Sequence, residues 1–245
     1  MILALDTSSA LTSVAVIDGQ RVVAAASHLD ARRHAEVMAP LLADVIAGID
    51  PVTIAAIACG VGPGPYTGLR VGIATALAVG LAWGVPVHGI CSLDAVAAAA
   101  LDLAPADDGL CVAVDARRKE VYWARYAATG DRLDGPRVAA PATIDPALRA
   151  GAWAGQGAVI HVEAFGRVLA AARDDASGAG YPHATWIGRR ASALLAAGVP
   201  EAMAEVPLDA HGDDSGATAH ALGGATLLPA RPLYLRRPDA VAARS

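Results

Sequence analysis

Between Val71 and Leu93 the chain carries no Asp, Glu, Lys or Arg, yet Gly72, Gly80, Gly84, Pro86 and His88 fall inside the run. A stretch of that length could span a bilayer, but the proline and repeated glycines suit no single unbroken helix. A buried helix over 69–83 and a buried strand over 85–88 account for it, and no membrane partner is expected. Upstream, 54–59 reads as an apolar strand, joined to that helix by the Gly/Pro segment from Gly60 to Arg70. Strand, glycine-rich loop, helix and strand make a parallel crossover unit. That unit assigns the chain to the α/β class, with mixed sheets flanked by helices.

Hairpins precede it. Ile2–Asp6, 12–18 and 20–27 read as strands, with Asp18-Gly19 a strong hairpin dipeptide. Over 33–49, Val37, Met38, Leu41, Leu42, Val45 and Ile46 form one helical stripe, which Pro40 either kinks or effectively starts. A helix over 93–101 follows, then a polar break at 105–109. Beyond the break Leu110–Asp115 and 120–127 repeat the opening pattern of an apolar strand ending in Asp, a short turn and a second strand. Asp6 and Asp115 are counterparts on this reading, which divides the chain into two related lobes, 1–105 and 106–245. Helices are expected at 165–173 and 187–197, mobile loops at 174–180 and 209–224, and an apolar close at 232–235 with the polar tail able to pack back.

The chain has 245 residues, 55% hydrophobic and 18% charged, with a net charge of −5. That composition supports a substantial core, and it excludes disorder over most of the length and a broadly basic nucleic-acid surface. Cys59, Cys91 and Cys111 stand singly in apolar runs, as buried thiols of a reducing compartment do. The first residues carry no basic stretch and turn polar by Asp6, so no signal peptide is expected and the protein is placed in the cytoplasm.

The segment Gly60-Val-Gly-Pro-Gly-Pro-Tyr-Thr-Gly-Leu-Arg70 lies where glycine-rich loops bind phosphate. It has no Walker lysine, Thr67 stands where the last glycine of GxGxxG belongs, and Pro63 and Pro65 lack amide donors. Two readings stay open. One is a ligand loop built from Gly62, Gly64, Thr67 and Gly68; the other is a structural turn that presents Tyr66 and Arg70. The Asp6-Thr7 turn is likewise either nucleotide-proximal or a local turn closed by its own side chains. His28 and His34 read as solvated surface. His211, Asp213, Asp214 and His220 read as a polar loop rather than a metal site, and no GxSxG elbow occurs.

Five motifs in order, ILALDTSS…TSVAVID, RHAEVMAPLL, GVGPGPYTGLRVGIATALAVGLAWGVPVHGICSLDA, DARRKEVYWA and PLYLR, resemble the bacterial TsaB family of tRNA threonylcarbamoyladenosine biosynthesis proteins, once labelled glycoprotease-like. The resemblance is dense over 1–126 and thin over 130–225. Pro65 stands where the family usually has a serine. It implies an actin-like, ribonuclease H-like (ASKHA) fold of two related lobes. It also implies a non-catalytic partner of the paralogue TsaD, which transfers a threonylcarbamoyl group to adenosine 37 of tRNAs reading ANN codons, with the ATPase TsaE joining the pair. On this resemblance the chain binds no cofactor or metal alone, leaves ATP or ADP a place at the joint surface, meets tRNA only through the complex, and can form a homodimer when isolated.

Three departures from TsaD agree with a non-catalytic role. Ser92-Leu93-Asp94-Ala95-Val96 replaces a His-Leu-Glu-Gly-His stretch whose histidines hold metal. Asp115-Ala116-Arg117-Arg118 replaces a glycine turn that lets backbone approach phosphate. Gly223-Gly224 leads to no asparagine, which the chain lacks altogether. The alternative is a stand-alone actin-like enzyme, either a small-molecule kinase or a glycoprotease-type peptidase. For docking on TsaD, the resemblance points to the helices at 33–49 and 69–83. The residues expected to carry the contact are Val37, Met38, Leu41 and Val45 on one, and the small-residue stripe Gly72, Ala76 and Gly80 on the other.

Overall fold

Strict alternation along the first two strands decides the layering. In the computed structural model, which describes residues 1–175, 177–201 and 226–235, β1 (Ile2–Asp6) is buried along its whole length and β2 (Leu11–Asp18) along all but its last residue. Leu3, Leu5, Val14 and Val16 point to one face, where α1 (His34–Ile46) and α2 (Tyr66–Trp83) contribute Met38, Val45, Leu69, Ile73 and Ala76. Ile2, Ala4, Ala15 and Ile17 point to the other, where α6 (Ala184–Ala196) supplies Ile187, Ala191 and Leu194. Period-two side chains therefore bury both faces of one sheet.

That sheet has the order β11-β5-β4-β1-β2-β3, with β3 at Arg21–Leu29, β4 at Ala56–Gly60, β5 at Val87–Ile90 and β11 at Leu228–Pro229. β1 pairs antiparallel with β2 and parallel with β4, and β4 pairs parallel with β5. The second sheet repeats the arrangement as β10-β9-β6-β7-β8, with β6 at Leu110–Asp115, β7 at Val121–Tyr126, β8 at Arg132–Ala139, β9 at Ala152–Ala154 and β10 at Arg167–Val168. β6 pairs antiparallel with β7 and parallel with β9. Each sheet thus places its first strand centrally, a hairpin partner and a third strand on one side, and two parallel strands on the other, where the first sheet adds the antiparallel β11. This is an actin-like, ribonuclease H-like fold in two mixed sheets. α3 (Ser92–Leu103) lies between them, its Val96 and Ala100 sharing one core with Val112, Ala124 and Tyr126. The short helices α4 (Pro146–Arg149) and α5 (Gln156–Ile160) flank β9.

Several expectations need correction. The helix expected at 165–173 is β10 followed by a 3₁₀ turn, Ala170–Arg173. Phe165 packs at a tilt against Trp153, ring centres 4.2 Å apart, and Arg167 pairs with Ala152, which keeps this segment extended beside β9. The described part of 174–180 is anchored: Gly155 and Gln156 donate amides to the carbonyls of Ala179 and Gly180. α1 keeps Pro40 inside an unbroken assignment from His34 to Ile46. α6 and β11 both come from the second half of the sequence yet belong to the layers of the first sheet. Among the described residues one helix, Tyr66–Trp83, has the length and apolar character to cross a membrane; its Leu69, Ile73 and Ala76 lie in the protein core.

Candidate functional site

The Asp6 turn and the glycine-rich loop meet at the carboxyl ends of β1 and β4. Asp6 is fully buried and accepts hydrogen bonds from the Ser8 amide (2.8 Å), the Ser8 hydroxyl (2.8 Å) and the Ser92 hydroxyl (3.0 Å). Burial pushes its pKa up to about 6, and the three donors only partly offset that cost. Ser92 Oγ accepts from the Gly62 amide at 3.1 Å, and the Ser92 amide donates to the Gly62 carbonyl at 2.8 Å. Thr7 Oγ1 donates to the Gly68 carbonyl at 2.7 Å and accepts from the Gly72 amide at 3.0 Å.

Glycine is required where the loop presses down. A Cβ on Gly60 would fall on the Asp6 carboxylate, and one on Gly64 would fall on the Ser8 carbonyl oxygen. Asp6, Thr7, Gly62, Gly64 and Gly68 therefore do converge, but on one another. The Asp6 turn is thus closed by its own side chains, by Ser92 and by the loop glycines.

α2 begins at Tyr66, three residues before the expected start, so Tyr66 and Thr67 belong to its first turn. The Tyr66 ring stacks on Tyr234 at 4.9 Å, and the Arg70 guanidinium lies 3.8 Å from the centre of the Tyr66 ring. Arg70 Nε also donates to the Tyr234 hydroxyl at 3.3 Å. The terminal segment is pinned beneath this stack by the Leu233 amide, 2.7 Å from the Val61 carbonyl oxygen. The loop thus brings Tyr66 and Arg70 against Tyr234. Tyr234 was missed as their partner. The scarcity of aromatics, 4% of residues, was the available hint.

The small-residue stripe faces inward, against expectation. Ala76 is completely buried, a Cβ on Gly72 would press on Thr7, and one on Gly80 would run into Val87. Small residues here let α2 approach its own sheet closely. On α1, Met38 and Val45 are core, whereas Val37 and Leu41 are half-buried. The outward face of α2 carries Arg70, Ala74, Leu77 and Leu81, with Leu77 48% and Leu81 87% exposed. Steps of four had marked the small residues, but periodicity alone does not say which face turns to the sheet.

His34 is also corrected, from surface to buried: its Nδ1 lies 2.6 Å from Thr12 Oγ1 at the head of α1, and burial lowers its pKa. Asp94 accepts from the Tyr126 hydroxyl at 2.8 Å and sits 3.3 Å from Arg132 Nε, a buried charge contact set off the line of a hydrogen bond. Ser92 and Asp94 are thus both engaged inside the protein. Among the described residues no group of three or more His, Cys, Asp or Glu side chains could hold a metal ion. His211, Asp213, Asp214, His220 and Gly223-Gly224 lie outside the described residues. The three cysteines are free and buried, with thiol pKa values raised to about 12 by burial.

Asp115 repeats the Asp6 geometry in the second lobe, accepting from the amide two residues on, that of Arg117, at 2.8 Å. The next three residues, Arg117, Arg118 and Lys119, have φ of 63°, 54° and 61°. Side chains in that left-handed region cost about 1–2 kcal/mol each, and no glycine in the turn signalled it.

A family model described as TsaD, tRNA N6-adenosine threonylcarbamoyltransferase, matches residues 27–185. An uncharacterized protein of Mycobacterium tuberculosis H37Rv is 42% identical over 149 residues, covering 59% of this chain and 67% of its own length. The tRNA threonylcarbamoyladenosine biosynthesis protein TsaB of Escherichia coli K12 is 38% identical over 128 residues, covering 51% of this chain and 54% of its own. The solved structure of YeaZ from Pseudomonas aeruginosa superposes with a TM-score of 0.64 at 30% identity, over 80% of this chain and 92% of that one. An uncharacterized Mycobacterium leprae relative is matched over 40% of its length, so the chain spans about half the length of the curated relatives it matches.

Proposed function

Because the chain belongs to the TsaB family, within the wider group described by the TsaD threonylcarbamoyltransferase model, we propose that it serves in threonylcarbamoyladenosine formation as a non-catalytic subunit that docks on TsaD. The observation that carries this reading is the closed Asp6 turn. A kinase of this fold needs an open cradle for phosphates beside that carboxylate, and here Gly64 lies against the Ser8 carbonyl. A metallopeptidase needs ligands, and Ser92 and Asp94 are bound to Asp6, Tyr126 and Arg132 instead.

Docking is assigned to the outward faces of α1 and α2. Leu77 and Leu81 present apolar area without a partner among the described residues, and Val37 and Leu41 lie half-covered on the neighbouring helix. Helices with such stripes pack pairwise. In this reading TsaD supplies the chemistry, TsaE joins the pair, a joint surface is the place for nucleotide, and the tRNA is met in the cytoplasm through the assembled complex. Size-exclusion of the chain with TsaD tests it. A stable complex that Leu81→Asp disperses, with both proteins still folded, supports the assignment. A wild-type chain that never co-elutes with TsaD would overturn it.

A further inference from the structure

Arg70 stands at the amino-terminal end of the exposed α2 stripe, four residues before Ala74 and seven before Leu77. Its guanidinium is not free to wander. One face rests on the Tyr66 ring at 3.8 Å, Nε is held by the Tyr234 hydroxyl at 3.3 Å, and Tyr234 is itself stacked on Tyr66 at 4.9 Å. Tyr234 is fixed in turn, since the preceding residue, Leu233, is buried and bonded to the Val61 carbonyl. Among the described residues no carboxylate pairs with Arg70, although the chain as a whole is acidic. An exposed arginine usually loses much conformational freedom when it binds; this one, exposed at the surface, is already held on one face and at Nε.

We propose that Arg70, aligned by Tyr66 and Tyr234, is the polar anchor of the docking surface and receives a carboxylate from the partner helix that covers Leu77 and Leu81. The inference rests on the reading that this surface docks on TsaD. A planar guanidinium favours a two-pronged contact with a carboxylate. Arg and Tyr beside an apolar patch form the composition that concentrates binding energy in protein interfaces. The terminal segment then has a role in docking: it keeps Arg70 pointed at the partner, so Tyr234 is a positioning residue.

Dissociation constants for TsaD are measured for wild type, Arg70→Glu, Arg70→Gln, Tyr234→Phe, Tyr234→Ala and Leu81→Asp, between about 50 and 500 mM salt. Arg70→Glu is expected to weaken binding by about a hundredfold and Arg70→Gln by about tenfold, chiefly at low salt, because one attractive charge pair is lost or reversed. Tyr234→Ala is expected to lose about threefold to tenfold through misalignment, with Tyr234→Phe between it and wild type. Thermal melts confirm folding, and Arg70→Gln keeps the comparison valid if Arg70→Glu disturbs the stack. Wild-type binding indifferent to salt and to both Arg70 substitutions, with Leu81→Asp still disruptive, would overturn the anchor and leave the docking surface standing. Failure of wild type and all variants to bind TsaD would overturn both.

Discussion

Asp6 is a fully buried carboxyl group with Gly60 packed directly against it. Its folded pKa of about 6 lies above the ordinary 3.8, so folding favours the protonated form. The sign follows: this contribution to stability is complete below pH 3.8 and is lost as pH rises through 6. At about 1.4 kcal/mol per pKa unit, the loss is on the order of 3 kcal/mol. Urea unfolding between pH 4 and 7.5 should show that descending component in wild type, and Asp6→Asn should lack it. Equal pH slopes in the two proteins would mean that Asp6 is not held in a desolvated site. The two serines and two glycines around it were visible in the sequence, but not that they enclose it, because a turn that binds phosphate and a turn that closes on itself use the same residue types.

At the scale of elements, α2 sets the clearest contrast. Ala76 is completely buried and Leu81 is 87% exposed. Ala76→Trp forces a large ring against the sheet and is expected to abolish the cooperative melt, since overpacking by far smaller groups already costs about 1–3 kcal/mol. Leu81→Asp is expected to shift stability by no more than about 0.5 kcal/mol, the usual range for an exposed site. Calorimetry separates the two, and a stable Ala76→Trp protein would reverse the assignment of faces. The helix itself was legible from its charge-free run, and β1, β2 and β6 from their apolar strands ending in Asp. Its facing was not: Gly72, Ala76 and Gly80 make a regular stripe that suits either a partner helix or the protein's own sheet. β8, β9 and β10 were unread for another reason. β8 is an edge strand interrupted by Gly135-Pro136, β9 and β10 are only two or three residues long, and Phe165 reads as the start of a helix until Trp153 is seen beside it.

Across the whole molecule, α3 joins the two sheets through Asp94, which meets Tyr126 and Arg132 of the second sheet. Removing one member of such a buried pair leaves the other uncompensated, typically at a cost of about 3–5 kcal/mol. Asp94→Ala should lose that much in denaturant unfolding, and a loss under 1 kcal/mol, on the scale of an exposed ion pair, would show that the contact does not couple the sheets. The repeated strand order of those sheets was foreshadowed by the Asp6 and Asp115 patterns, whereas α6 crossing back to the first sheet left no trace in local sequence. The same architecture frames the central claim, that a fold of catalytic relatives has here closed its own site and kept its outer helices for docking. Reconstitution tests it most directly: TsaD, TsaE, ATP, the threonylcarbamoyl donor and an ANN-decoding tRNA, with and without this chain, followed by nucleoside mass spectrometry. The expected result is threonylcarbamoyladenosine only when the chain and TsaD are both present, and none from the chain alone. Modification by the chain without TsaD, or by TsaD at the same rate without the chain, would contradict it.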